Sequence, residues 1–146
     1  MQIPEAIEIL LIEDNDSDAE LTIRALNQNH LSNRVVHFAD GPQALNYLFP
    51  IENTIDHKQA INPKVIMLDL KLPGMSGLDV LKAIKKDPRT RLIPVVVLTS
   101  STEEKDILKS YELGANSFIS KPVGFDKFTE SMKNLGMYWL LLNKTP

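Results

Sequence analysis

The chain contains no cysteine, a single tryptophan and only 6% aromatic residues in 146 positions. Without thiols it can form no disulfide framework, no zinc–thiolate site and no cysteine nucleophile. No apolar run approaches the roughly 18 residues that a membrane span requires. The opening Met1-Gln2-Ile3-Pro4-Glu5 lacks the basic segment leading into an apolar stretch that marks a secretory signal. Neither sign of charge predominates, with 16 Lys and Arg against 19 Asp and Glu, and a net −3 gives no support for general nucleic-acid binding. What is present is ordinary for a globular protein: 43% hydrophobic and 24% charged residues. The length suits one compact domain over 1–146, with enough chain to bury a core. A cytoplasmic protein that engages neither membrane nor nucleic acid is the expectation.

Apolar runs alternate with amphipathic stretches along the chain. Ile7 to Ile12 reads as a buried strand, closed by Glu13-Asp14-Asn15-Asp16. A helix is predicted from about Ser17 to Asn29, with Ser17 and Glu20 spaced as a capping box and Asn15 and Asp16 beside its N-terminus. Val35 to Phe38 suggests a short strand, and Asp40-Gly41-Pro42 opens a helix to about Phe49. Val65 to Leu70 is a third strand, followed by the turn Pro73 to Gly77 and a helix that Asp87-Pro88 stops. Pro94 to Thr99 is a fourth strand rich in β-branched residues. Ser101 and Glu104 are spaced as a second capping box for a helix ending at Gly114. Ser117 to Ser120 is a fifth strand, and Phe125 to Leu142 a last helix. Strands interleaved with helices in this way argue for an α/β fold, a parallel sheet covered on both faces. Pro50 to Pro63 is the one long connection, polar and without period, and reads as a surface excursion.

On this scaffold the polar residues converge. Glu13 and Asp14 lie at the carboxyl end of the first strand, Asp69 near the end of the third, Thr99 ends the fourth, and Lys121 follows the fifth. Parallel strands put all their carboxyl ends on one edge, where open α/β sheets bind ligands. Three carboxylates packed together repel one another unless a cation neutralises them. Oxygen ligands without His or Cys suit a hard ion such as magnesium, which keeps water and pairs with carboxylates and phosphate. A carboxylate oxygen can attack phosphorus to form an acyl phosphate, while lysine and threonine hold the transferring oxygens.

Taken singly, each residue has an ordinary reading. A strand-end Asp is usually a turn or cap residue, Thr99 a β-branched strand end, and Lys121 a solvated charge. Those readings explain each residue but predict no common edge. The joint pattern favours phosphate.

At these residues the sequence resembles the response-regulator receiver family of two-component signalling. The matching pieces are Leu11-Ile12-Glu13-Asp14, Ile66 to Gly77, Pro94 to Ser100 and Lys121-Pro122, four motifs in order across roughly residues 6 to 135. The resemblance implies a doubly wound five-stranded sheet in the flavodoxin-like order 2-1-3-4-5. It also implies a signalling switch, not a metabolic enzyme, whose phosphoacceptor is Asp69. Magnesium or manganese would be held by Glu13, Asp14, Asp69 and the main-chain carbonyl of Lys71. Thr99 and Lys121 would contact the phosphoryl group, Thr99 and Phe118 would form the switch, and the bond to Pro122 would be cis. Phe118 stands where the family commonly has a switch aromatic with a hydroxyl.

Rival readings weaken at particular residues. An aspartyl-phosphate phosphohydrolase wants a second Asp two residues after its nucleophile, and that position is Lys71. A flavodoxin-like cofactor module needs a hydroxyl- and glycine-rich loop after the first strand, where Glu13-Asp14-Asn15-Asp16 would repel phosphate. A degenerate receiver serving only as a protein-interaction module is the remaining alternative. Output is expected to be protein–protein contact or phosphorelay, with a sensor histidine kinase as the donor.

The long middle loop and the tail are similar to those of small phytochrome-associated response regulators, which points to a phytochrome as the sensor. In the last helix Phe125, Phe128, Met132, Leu135, Trp139 and Leu142 form one apolar stripe. Its distal residues Tyr138, Trp139, Leu141 and Leu142 are expected to run past the sheet as a homodimer or partner patch.

Overall fold

A computed structural model describes residues 9–28, 34–49, 63–100, 104–121, 126–127 and 130. Its elements run β1 (Ile9–Ile12), α1 (Asp16–Gln28), β2 (Val35–Phe38), α2 (Gly41–Leu48), β3 (Val65–Asp69), α3 (Gly77–Lys86), β4 (Val95–Thr99), α4 (Glu104–Glu112) and β5 (Ser117–Ser120). All four strand pairings are parallel, and the order is β2-β1-β3-β4-β5. The expected sheet is the observed one.

Strands β1, β3 and β4 are buried at every position because each lies inside the sheet with both faces covered. Alternation then sorts their side chains. Leu10, Ile12, Ile66, Leu68, Val95 and Val97 pack with Ala44 and Leu48 of α2 and Val80, Leu81 and Ile84 of α3. On the other face Ile9, Leu11, Val65, Met67, Val96, Leu98 and Ile119 pack with Ala19 and Leu26 of α1. This two-sided core holds the carboxyl ends of β1, β3 and β4 side by side.

Local chemistry sets the boundaries. Helix α1 begins one residue before the predicted Ser17, because Asn15 Oδ1 accepts the Asp18 amide at 2.9 Å and Asn15 is therefore the cap. The Ser17–Glu20 capping box is not formed: Ser17 lies inside the first turn. Asp40 caps α2 through the Gln43 amide at 2.8 Å, with Pro42 in the first turn, as its sequence requires. Ser76 caps α3 through the Asp79 amide at 3.2 Å. Pro94 lies just outside β4, yet its carbonyl still accepts the Ile66 amide at 2.9 Å. Gly114 ends the α4 region at φ 106°, a conformation that glycine adopts without strain.

Several sequence-based expectations lie outside the described residues. They are the middle excursion over 50–62, Ser101 of the second capping box, Pro122, and the tail patch Tyr138, Trp139, Leu141 and Leu142. Of the last helix, positions 126, 127 and 130 are described as helical.

Candidate phosphoacceptor and metal site

Glu13 leaves β1 with both backbone groups held by the edge strand. Its amide donates to the Phe38 carbonyl at 3.0 Å, and its carbonyl lies 2.7 Å from Nε2 of His37. The side chain turns into the sheet edge and is 1% exposed. Glu13 Oε2 accepts the Asn15 amide at 3.2 Å. Asp14, the next residue, is exposed.

Asp69 ends β3 and is 4% exposed. Its Oδ1 accepts the amide of Lys71 at 3.3 Å, closing a short turn over the strand end. Gly77, the first residue of α3, presses on this turn. A Cβ there would fall on the Asp69 carbonyl oxygen and stand 2.5 Å from Leu70 Cα. The Gly77 amide donates to the Leu70 carbonyl at 2.8 Å, so only glycine permits this close approach of α3 to the end of β3.

Carboxylate oxygens of Glu13, Asp14 and Asp69 lie within 4.8 Å of one another. Lys121, directly after β5, reaches across the edge into this group. Its Nζ stands 2.5 Å from Glu13 Oε1, 3.3 Å from Asp69 Oδ2 and 3.3 Å from Asp18 Oδ2. Burial is the largest influence on Glu13 and raises its pKa to about 7; the nearby Asp69 charge adds to this, while Lys121 opposes it. For Lys121, burial pulls the pKa down, but Glu13, Asp69 and Asp18 together hold it above the ordinary lysine value.

Thr99 ends β4, is 1% exposed, and its carbonyl accepts the Lys121 amide at 2.9 Å. Phe118 pairs in register with Val97, and both rest on the same core face. Thr99, two residues beyond Val97, projects to that face too. The edge therefore gathers Glu13, Asp14, Asp69, Thr99 and Lys121, as the sequence pattern anticipates.

The donor set fits a hard divalent cation. It offers only oxygens, and two of its three carboxylates are buried. Glu13 Oε1 is buried against the Lys121 ammonium, a monocation standing where a bound divalent cation would compete for the same oxygen.

A family model described as "Response regulator receiver domain" matches residues 9–133. The chain belongs to that family. Among solved structures, it is similar to the bacteriophytochrome response regulator AtBRR, at 48% identity and TM-score 0.82, covering 97% of this chain and 100% of that one. The phosphorylated cyanobacterial phytochrome response regulator RcpA is 37% identical, with TM-score 0.73, covering 93% of this chain and 95% of that one. Response regulator Rcp1 of Synechocystis sp. is 33% identical over 132 residues, 90% of this chain and 88% of its own length. The Mn²⁺-bound form of Rcp1 superposes with TM-score 0.71, at 31% identity over 96% of this chain and 99% of that one. This receiver is therefore a signalling switch related to phytochrome-associated response regulators. No helix among its described residues is long and apolar enough to cross a membrane.

Sequence reasoning singled out the acidic, hydroxyl and lysine groups but not the contact of His37 with Glu13. That contact spans 24 positions and joins neighbouring strands, and no local motif marks it.

Proposed function

We propose that Asp69 accepts a phosphoryl group from the phosphohistidine of a sensor histidine kinase and so switches this receiver between two packings. The supporting observation is the convergence of Asp69 with Glu13 and Asp14 within 4.8 Å, and with the Lys121 ammonium 3.3 Å from Asp69 Oδ2. An Asp69 oxygen attacks phosphorus, the bond from phosphorus to the histidine nitrogen breaks, and an acyl phosphate forms. Lys121 would neutralise charge on the incoming group, and the Thr99 hydroxyl would bind another of its oxygens. Glu13, Asp14, Asp69 and the Lys71 carbonyl would hold Mg²⁺ or Mn²⁺, which supplies positive charge to the transferring phosphoryl group. Manganese in the similar Rcp1 structure and phosphorylation of the similar RcpA support this reading.

Similarity to phytochrome response regulators favours a phytochrome as the sensor, and a cytoplasmic site of action goes with that reading. Output through protein contact or phosphorelay, with dimerisation through the tail, completes the proposal. Incubation with Mg²⁺ and acetyl phosphate, followed by intact-mass measurement, should add one phosphoryl group to the wild type and none to Asp69→Asn. Equal labelling of both proteins would refute the assignment.

A further inference from the structure

We infer that His37 is a positioning residue for the metal-binding loop, acting through a hydrogen bond from its Nε2–H to the main-chain carbonyl of Glu13. The inference rests on the metal reading of the acidic pocket and adds to it a residue from outside that pocket. His37 lies on edge strand β2, where Leu11 is its register partner. Its Nε2 is 2.7 Å from Glu13 O. A carbonyl oxygen can only accept, so Nε2 carries the proton.

The placement of this bond gives it its consequence. The β1–β2 register ends at Ile12 and Phe38, and the Glu13 amide still joins the ladder through the Phe38 carbonyl at 3.0 Å. The Glu13 carbonyl comes after the ladder has ended, at the peptide that leads into Asp14. His37 supplies its donor where no further strand residue does. Beyond Asp14 the loop is caught again, by Asn15 Oδ1 accepting the Asp18 amide at 2.9 Å. Asp14 is thus strung between two fixed points, the His37 clamp and the α1 cap. Its exposed carboxylate has no burial of its own to orient it. Releasing the first point lets the Glu13–Asp14 peptide rotate, which moves two carboxylates that must converge on one cation. Hydrogen bonds that orient ligands in this way carry much of a site's affinity.

His37 also lines an open groove of about 460 Å³ with Ala19, Ile23 and Asn27 of α1. Replacement there removes the clamp without emptying the closed core.

The test compares Mg²⁺ affinity by calorimetry in the wild type, His37→Leu and His37→Gln, with thermal stability measured alongside. Gln carries an amide N–H at about the reach of Nε2. His37→Leu should bind Mg²⁺ about tenfold more weakly, and His37→Gln should recover to within about threefold of wild type. A merely structural role would make stability follow the substitutions while metal affinity stayed level, and that result would overturn the proposal. Wild-type ¹⁵N imidazole shifts give a measurement that needs no variant: His37 should show the Nε2–H tautomer, and the Nδ1–H tautomer would overturn the clamp. Failure of the wild type to bind Mg²⁺ would overturn the metal reading itself. Wild-type binding left unmoved by His37→Leu would overturn only the role of His37.

Discussion

Lys121 Nζ stands 2.5 Å from Glu13 Oε1, closer than its 3.3 Å approach to Asp69 Oδ2. The lysine proposed to contact the phosphoryl group is thus also the internal counter-ion of the acidic pocket. A divalent cation bound by Glu13 must share or displace this ammonium, and two cations so close repel. Lys121→Met should therefore strengthen Mg²⁺ binding by about fivefold, the equivalent of ~1 kcal/mol. The same substitution should slow phosphorylation by acetyl phosphate, because the group that neutralises the incoming oxygens is gone. Titration calorimetry and intact-mass time courses on one preparation would show the two effects with opposite signs. Metal affinity falling together with phosphorylation would mean that Lys121 supports the pocket and does not compete for it.

Burial of Glu13 gives the pocket a pH dependence. Its pKa in the fold is raised from 4.5 to about 7, so the folded chain holds this proton more tightly than the unfolded chain. In the absence of divalent cation, the associated stability is fully present below about 4.5 and is lost as pH rises through about 7. Metal binding demands the ionised carboxylate and reverses the preference. Mg²⁺ affinity should fall about tenfold per pH unit below 7, with close to one proton released per ion bound. Calorimetry in buffers of different ionisation enthalpy counts that proton. Glu13→Gln should weaken binding and flatten its pH profile. A profile unchanged by that substitution would place the titrating group elsewhere.

Lys85 ties together three segments that the sheet alone leaves independent. Its Nζ donates to the carbonyls of Arg91 and Ile93 at 3.1 and 2.8 Å, and to Asn116 Oδ1 at 3.0 Å. Asn116 Oδ1 also accepts the Val95 amide at 2.9 Å, at the start of β4. Burial pulls the Lys85 ammonium below the ordinary lysine range. Lys85→Met keeps the stem but abandons those acceptors, and should cost roughly 1–2 kcal/mol in urea unfolding. Mg²⁺ affinity should be unchanged, since the network sits at the amino-terminal side of β4, away from the pocket.

How far the sequence could be read follows from how local each signal was. Strands β1, β3 and β4 were legible as apolar runs because burial on both faces removes alternation. The convergence of Glu13, Asp69, Thr99 and Lys121 followed from parallel strands alone, before any order was assigned. The order 2-1-3-4-5 came from family resemblance, because alternation of strands and helices fits more than one winding. At α1 two capping patterns overlapped, and the Asn15 side chain took the Asp18 amide where the Ser17–Glu20 spacing had suggested otherwise. The His37 and Lys85 contacts join residues 24 and 31 positions apart, at distances where no motif spacing applies. Gly77 was visible within a motif, but its reason, the backbone of Asp69 and Leu70 beneath it, required coordinates.

Thr99 and Phe118 supply the last prediction. Thr99 ends β4 fully inside the edge, and Phe118 lies diagonally from it on β5, paired in register with Val97 and half-buried on the same core face. Phe118 also borders a groove of about 400 Å³ with Tyr111, Ser117 and Lys127, and its side chain is only partly covered by the core. A threonine hydroxyl drawn toward a phosphoryl group on Asp69 would vacate volume that the ring can fill, shifting the balance between two packings without a new fold. Beryllofluoride with Mg²⁺, used as a phosphoryl mimic, should move amide shifts along β5 and α4 in the wild type. Thr99→Ala should still bind the mimic, but with shifts confined to the loops after β1 and β3. Phe118→Ala should cost roughly 1–2 kcal/mol of stability, less than a fully buried aromatic, and should also confine the response. The decisive comparison is Thr99→Ala: if its β5 and α4 amides move as they do in the wild type, the signal leaves the site by another route and the switch assignment fails.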